Sequence, residues 1–148
     1  MTDPVLSSIL RINRQRLRIL RHTVLTPHQY VGVMHLIVGY IGRHPGASQE
    51  EIVCFYALDK ANVARSARRL EDMGHIRREI DPDNRRQYQL FLTSAGEEMF
   101  SIIDRAHEDF QHMLSAGVDP GDWQLLASLL QRLEKNIHLE PPVVDNGC

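Results

Sequence analysis

The segment DPDNRRQYQLFLT, residues 81–93, sets two guanidinium groups, Arg85 and Arg86, side by side on a turn. A guanidinium is permanently charged and presents five donors in a planar fork, which suits phosphate oxygens and the edges of bases. Upstream, Lys60, Arg65, Arg68, Arg69, Arg77 and Arg78 complete a run of eight basic residues over 60–88, against five acids. Residues 4–49 add six arginines and no acid, whereas 89–148 hold three basic residues against ten acids. The net charge of −2 conceals this polarity. A basic middle within an acidic chain fits a localised anionic partner, with oligomer contacts as the other use of such charge.

Groups that make or break bonds are sparse by comparison. His107 and His112, within HEDFQH, are five residues apart and so face different sides of a helix. Such a pair does not close a zinc site, and both are read as surface polar residues. Ser, His and Asp occur without nucleophile-elbow glycines, and no Gly-rich phosphate loop is present, so neither an enzyme nor a cofactor is expected. Cys54 is read as a small core residue, since neighbouring Glu50 and Glu51 disfavour a thiolate; redox sensing is its alternative reading. No function attaches to Cys148. The two cysteines lack metal-type spacing, no run approaches the ~20 apolar residues of a membrane span, and no secretory signal is evident. A cytoplasmic protein without a membrane partner is the expectation.

The elements that must position the arginines follow from caps and periodicity. Asp3-Pro4 is an N-cap with Pro at the first helical position, and Leu6, Ile9, Leu10, Leu17 and Leu20 carry a first helix to about His22. Its other face holds Arg11, Arg14, Arg18 and Arg21. Thr26 and Gln29 have capping-box spacing and predict the start of a second helix, lined by Tyr30, Val33, Met34, Ile37, Val38 and Ile41. His44-Pro45-Gly46 ends it. Ser48 and Glu51 form another capping box before a short helix; Ala57-Leu58 breaks the chain; Asp59 caps a helix to about Met73, with Gly74 after it. Strands over 75–80 and 87–92 flank the turn at 81–86. Thr93 or Ser94 caps a long helix through Met99, Ile102, Ile103, Ala106, Phe110 and Leu114. Asp119-Pro120 opens a last helix through Leu126, Leu129, Leu130, Leu133 and Ile137, with Trp123 as a packing or dimerisation anchor and Pro141-Pro142 as its stop. The order is ααααββαα.

This order makes the chain mainly α with a small β-hairpin: a helix-turn-helix followed by a wing. On the 59–73 helix, Val63, Ala67, Leu70 and Met73 share the packing side, while Ala61, Arg65 and Arg68 lie opposite, flanked by Asn62 and Arg69. Small Ala61 and Ala64 allow a deep seat in a major groove, where Arg65 matches guanine O6/N7 and Asn62 matches adenine N6/N7. Lys60, Arg69 and Arg78 are assigned to phosphates, and Arg85 with Arg86 to the minor groove. The bland alternatives are a solvated basic helix paired to Glu71 and Asp72 and a charged turn that deters edge pairing.

The residues LTPHQ at 25–29 and VARSARRLEDMGHIRREIDPDNRRQYQLFLTSAGEE at 63–98 resemble the MarR-type winged-helix regulators. Leu25-Thr26 with Gln29 matches that family's second-helix start. Arg69-Leu70-Glu71 with Gly74 matches the end of its recognition helix. Arg78 precedes the wing, and Leu92-Thr93 with Gly96 follows it. The match covers about residues 25–98, with helix order extending it over nearly the whole chain.

The resemblance implies one domain: residues 25–93 as the winged helix-turn-helix, 1–24 and 94–140 as helical dimerisation regions, and 141–148 as a polar tail. It implies a homodimer that binds a near-palindromic double-stranded DNA operator, as a repressor relieved by a small-molecule effector. By position, His22, Tyr30, Met34, His35 and Phe110 are the effector candidates. In the wing the family's aspartate-x-arginine signature places its arginine at Arg86 and finds Asn84 at the aspartate, with Asp83 as a possible substitute. His75 replaces an apolar residue; a structural role is expected, pH sensing being the alternative. A winged helix used only for protein contacts, or a cysteine-based redox regulator, is the alternative function.

Overall fold

The computed structural model describes residues 3–138. Its elements are α1 (Pro4–Leu20), a π-helical turn (Arg21–Leu25), α2 (Met34–Arg43), α3 (Gln49–Tyr56), α4 (Lys60–Asp72), β1 (Ile76–Ile80), β2 (Tyr88–Leu92), α5 (Ser94–Ser115) and α6 (Pro120–His138). The predicted order is observed, with most boundaries within a residue or two. Asp3 caps α1, its carboxylate accepting from the amides of Val5 and Leu6 at 2.8 and 3.3 Å. The Ser48/Glu51 capping box forms in both directions, and Asp59 caps α4 by accepting from the Asn62 amide at 2.8 Å.

The expected helix start at Thr26–Gln29 is overturned: these residues close the first helix, and α2 begins at Met34. The Tyr30 amide donates to the Leu25 carbonyl at 2.8 Å and the Gln29 amide to the Thr26 carbonyl at 3.2 Å, with Gln29 at φ +59°. That pair of bonds around a left-handed residue is a Schellman stop, reinforced by burial of Leu25 and Tyr30. A polar residue followed three positions later by Gln suits either end of a helix. Here tertiary burial of the aromatic ring selects the stop.

The same motif ends α4. The His75 amide bonds the Leu70 carbonyl and the Gly74 amide bonds that of Glu71, both at 2.9 Å, with Gly74 at φ +74°. The break between α3 and α4 also uses a left-handed residue, Ala57 at φ +51°, so the helix-turn-helix connection carries mild backbone strain. β1 and β2 pair antiparallel, Arg78 opposite Leu90. Residues 46–47 join the outer edge of β2 through the Gly46 amide to the Leu90 carbonyl and the Leu90 amide to the Ala47 carbonyl, both at 2.9 Å.

A single core gathers these elements. Met34, Ile37, Val38 and Ile41 of α2 pack with Ile52 and Val53 of α3, Val63, Ala67 and Leu70 of α4, Ile76 and Leu90 of the hairpin, and Met99 and Ile103 of α5. Cys54 is not in it: α3 turns Ile52 and Val53 inward and leaves Cys54 on the exposed side, correcting its expected core role. α6 stands apart, with Leu125, Leu126, Leu129, Leu130, Leu133 and Ile137 exposed and Trp123 half-buried. The expected stop at Pro141-Pro142 and the tail lie outside the described residues.

Thr93 joins the wing to α5. Its amide donates to the His75 carbonyl at 3.0 Å, its hydroxyl donates to the Gly74 carbonyl at 2.5 Å and accepts from the Gly96 amide at 3.2 Å. A Cβ on Gly96 would collide with the His75 backbone carbonyl. Gly96→Ala is therefore expected to destabilise the fold by at least the ~1–3 kcal/mol typical of overpacking, read as a lowered urea midpoint at unchanged m-value.

Candidate nucleic-acid interface

α4 is amphipathic in the expected sense. Val63, Ala67 and Leu70 are fully buried, Ser66 joins them, and Met73 is half-buried. Ala61, Ala64, Arg65, Arg68 and Arg69 are exposed and Asn62 is half-buried. Among the described residues Arg65, Arg68 and Arg69 make no ion pair; the alternative pairing to Glu71 and Asp72 does not form. Glu71 instead pairs across to the half-buried Arg78, Nε to Oε2 at 3.0 Å, with that guanidinium 5.9 Å from the Tyr88 ring centre.

The wing is built by its own side chains. The Asp81 carboxylate accepts from the Asp83 amide at 2.8 Å, and the Asn84 side-chain oxygen accepts from the Arg86 amide at 3.2 Å. Asn84 thus orders the Arg86 backbone by a neutral hydrogen bond, the weaker of the two kinds available at this position. Arg85 and Arg86 project into solvent without an acidic partner among the described residues. Arg77 stays within the wing, paired with Glu79 and stacked 4.7 Å from the Phe91 ring centre.

Helix and wing share one face. A shallow cleft of about 180 Å³ is lined by Glu50, Lys60, Arg78, Arg86, Gln87 and Tyr88 together with the α3 N-terminus. The first residue of α4 and the second wing arginine therefore border the same space. The joining residues, Glu50 and Gln87, escaped the sequence reading because they lie 37 positions apart.

The effector candidates are dispersed. His22 is exposed, Phe110 is half-buried, and Tyr30, Met34 and His35 are buried around the start of α2. Of the five, Phe110 borders an open groove of about 470 Å³ between α1 and α5, with Ile12, Ile19, Met113 and Leu114. The Tyr30 hydroxyl lies 2.6 Å from His75 Nδ1. Burial raises the phenol's pKa and lowers that of His75, which His28 lowers further. Both groups are thus held neutral, the phenol donating to Nδ1 and leaving the imidazole proton on Nε2.

His107 is not the surface residue its sequence context suggests. It is half-buried on α5, and its Nε2, like both ring nitrogens of His35, is buried with no partner in good hydrogen-bond geometry among the described residues. Burial lowers the His107 pKa, with Arg16 and Arg43 adding to the effect and Asp104 opposing it. His35, 5% exposed, is lowered to about 4, chiefly by burial, then by Arg16 and His107, with a Gly32 backbone interaction opposing. No cluster of three metal-ligating side chains occurs among the described residues, and none of their helices is long and apolar enough to cross a membrane.

A helix whose three arginines make no ion pair among the described residues, an arginine-tipped hairpin beside it and a short capped helix behind it define a winged helix-turn-helix fold. Residues 33–88 match the MarR family model. Over 123 residues the chain is 26% identical to the uncharacterized HTH-type transcriptional regulator YybA of Bacillus subtilis, covering 83% of this chain and 79% of that one. It is similar to the crystal structure of MarR, with a TM-score of 0.77 at 29% identity, covering 94% and 97% of the two chains. It also shares its fold with a Listeria monocytogenes protein solved with a 26mer DNA, at a TM-score of 0.84 and 23% identity over 93% and 90% of the chains. The chain is thus similar to MarR-family winged helix-turn-helix regulators, in sequence over residues 33–88, where the family model matches, and in fold over nearly its whole length.

The depressed His35 pKa has a consequence for stability. The unfolded chain takes up the proton near the ordinary value of about 6.5, the folded chain only near 4, so stability is fully present above that window and falls as pH drops through it. Unfolding at a series of pH values is expected to show a loss of about 3 kcal/mol from this group between pH 7.5 and 4. His35→Leu should flatten the profile over that range.

Proposed function

We infer that the protein acts as a homodimer on a near-palindromic DNA operator, as a repressor relieved by a small-molecule effector. The observation that carries this reading is the cationic face shared by α4 and the wing, where Arg65, Arg68, Arg69, Arg85 and Arg86 have no acidic partner among the described residues. In this reading Arg65 and Asn62 meet base edges from the major groove beside the small Ala61. Lys60, Arg69 and Arg78 serve phosphates, Lys60 and Arg78 from within their pairs to Glu50 and Glu71. Arg85 and Arg86 enter or border the minor groove, where A·T-rich sequence deepens the negative potential.

The exposed apolar faces support the dimer. Val5, Leu6, Ile9 and Leu10 of α1, Met113 and Leu114 of α5 and the leucines of α6 form more exposed apolar surface than a monomer in water ordinarily presents. In a dimer built on these faces, two recognition helices about 34–36 Å apart would match successive major grooves. An effector in the groove between α1 and α5 would act by favouring a dimer with a different helix spacing, since only differential affinity shifts such an equilibrium.

Selection of random duplexes by the purified protein at two salt concentrations tests the reading. An inverted repeat should be enriched, with affinity falling as salt rises. Salt-dependent binding without enrichment would remove the base-reading role of Arg65, and no binding at either salt would favour the protein-contact alternative. On the enriched site Arg65→Ala should cost about 1–3 kcal/mol and relax selection at one base pair per half-site; equal loss on every duplex would make it a phosphate contact. A chain truncated before Asp119 should sediment as a monomer, and a persistent dimer would displace α6 from the interface.

A further inference from the structure

We propose that Glu50 is a positioning residue that sets the wing against the recognition helix and holds down non-selective DNA binding; this rests on the DNA-binding reading above. Glu50 is the second residue of α3. One carboxylate oxygen receives the Lys60 ammonium at 3.3 Å, at the first residue of α4. The other receives the Gln87 side-chain amide at 2.7 Å. Gln87 closes the wing turn: its carbonyl accepts from the Asp81 amide at 3.1 Å and its amide donates to the Asn84 carbonyl at 2.8 Å. One carboxylate therefore ties together α3, the recognition helix and the turn that carries Arg85 and Arg86.

Folding stability does not account for this arrangement. The Glu50 and Lys60 side chains are 57% and 68% exposed, and ion pairs that wet contribute little to stability. Their position explains more. The carboxylate borders the cleft that Arg86 and Lys60 line, on the face offered to phosphates. There it subtracts from attraction to any duplex, because it neutralises Lys60 and adds a negative charge. Base-edge contacts from Asn62 and Arg65 are left untouched. What the carboxylate adds is geometry, a fixed separation between the group aimed at the major groove and the group aimed at the minor groove. Glu50 thus weakens sequence-independent binding and makes the wing's contribution depend on the register of the helix.

Two substitutions separate the parts of this role. Glu50→Gln keeps an acceptor for Gln87 and loses the charge, whereas Glu50→Ala loses both. Each is compared with the parent chain and with Arg86→Ala on three duplexes: the selected operator with A·T flanks, the same operator with G·C flanks, and a random sequence. On the random duplex both Glu50 variants should bind more tightly at low salt, with the log–log salt slope steeper by about one to two contacts' worth, roughly 0.9 each. Preference for A·T flanks should survive in Glu50→Gln and fall in Glu50→Ala to the level of Arg86→Ala. Unchanged slope and flank preference in both variants would overturn the proposal. A DNA-free readout runs beside it: hydrogen exchange at the Asp81 and Gln87 amides should quicken in Glu50→Ala but not in Glu50→Gln, with core amides of α2 as the folding control. Equal protection in all three proteins would also overturn it. If the parent bound no duplex, the DNA-binding reading would fall, while the exchange result would still decide whether Glu50 holds the wing.

Discussion

The joint at Thr93 is the constraint on which the relative placement of α4, the wing and α5 depends. One short side chain and its amide bind the carbonyls of Gly74 and His75 and receive the Gly96 amide. Those three bonds hold the end of the recognition helix, the end of the wing and the start of α5 in one frame. A glycine at 96 lets the backbones close to that distance. The imidazole of His75, capped by the Tyr30 hydroxyl, brings the connection between α1 and α2 to the same place. Three stretches separated in sequence, at residues 30, 74–75 and 93–96, thus meet at a joint made mostly of backbone polar groups. Each such group must find a partner when buried, which makes the arrangement specific as well as tight.

Charge on the winged helix is sorted rather than spread. Lys60, Arg77 and Arg78 are each matched to an acid, respectively Glu50, Glu79 and Glu71. The pairs to Glu50 and Glu71 link α4 to α3 and to β1, while Arg77–Glu79 lies within β1. The remaining guanidinium groups of α4 and the wing tip have no such partner among the described residues. A face of like charges repels itself in the free protein, and an anionic surface relieves that repulsion on contact. This division separates residues that shape the interface from residues left available to a polyanion.

Apolar surface is divided in a similar way. Residues of α2, α3, α4 and the hairpin bury their apolar faces in one core, whereas α1 and α6 keep much of theirs in water. Beneath α1, His35 and His107 sit as neutral, poorly partnered imidazoles near Arg16. A buried polar pair of that kind costs stability unless it remains uncharged. The contact of α1, α2 and α5 around these imidazoles is therefore sensitive to acid.

Local order was legible in the sequence because its causes span five residues or fewer. The Asp3, Ser48/Glu51 and Asp59 caps, the Gly74 stop, the wing turn and the exposed arginines of α4 all follow from short-range hydrogen bonds and periodicity. Where a local signal fits two outcomes, the sequence by itself was insufficient. Thr26–Gln29 has the composition of a start, yet burial of Tyr30 made it a stop. Cys54 lies in a two-turn helix whose inward face depends on how α4 packs, and His107 is half-buried by helices distant in sequence. The Glu50–Gln87 and Tyr30–His75 contacts span 37 and 45 positions and leave no trace in local spacing. The sequence alone determined the elements, their caps and the face on which the arginines lie. Tertiary structure decided which acids neutralise which cations and which polar groups are buried, because those depend on where the folded backbone returns, and no short-range interaction carries that information.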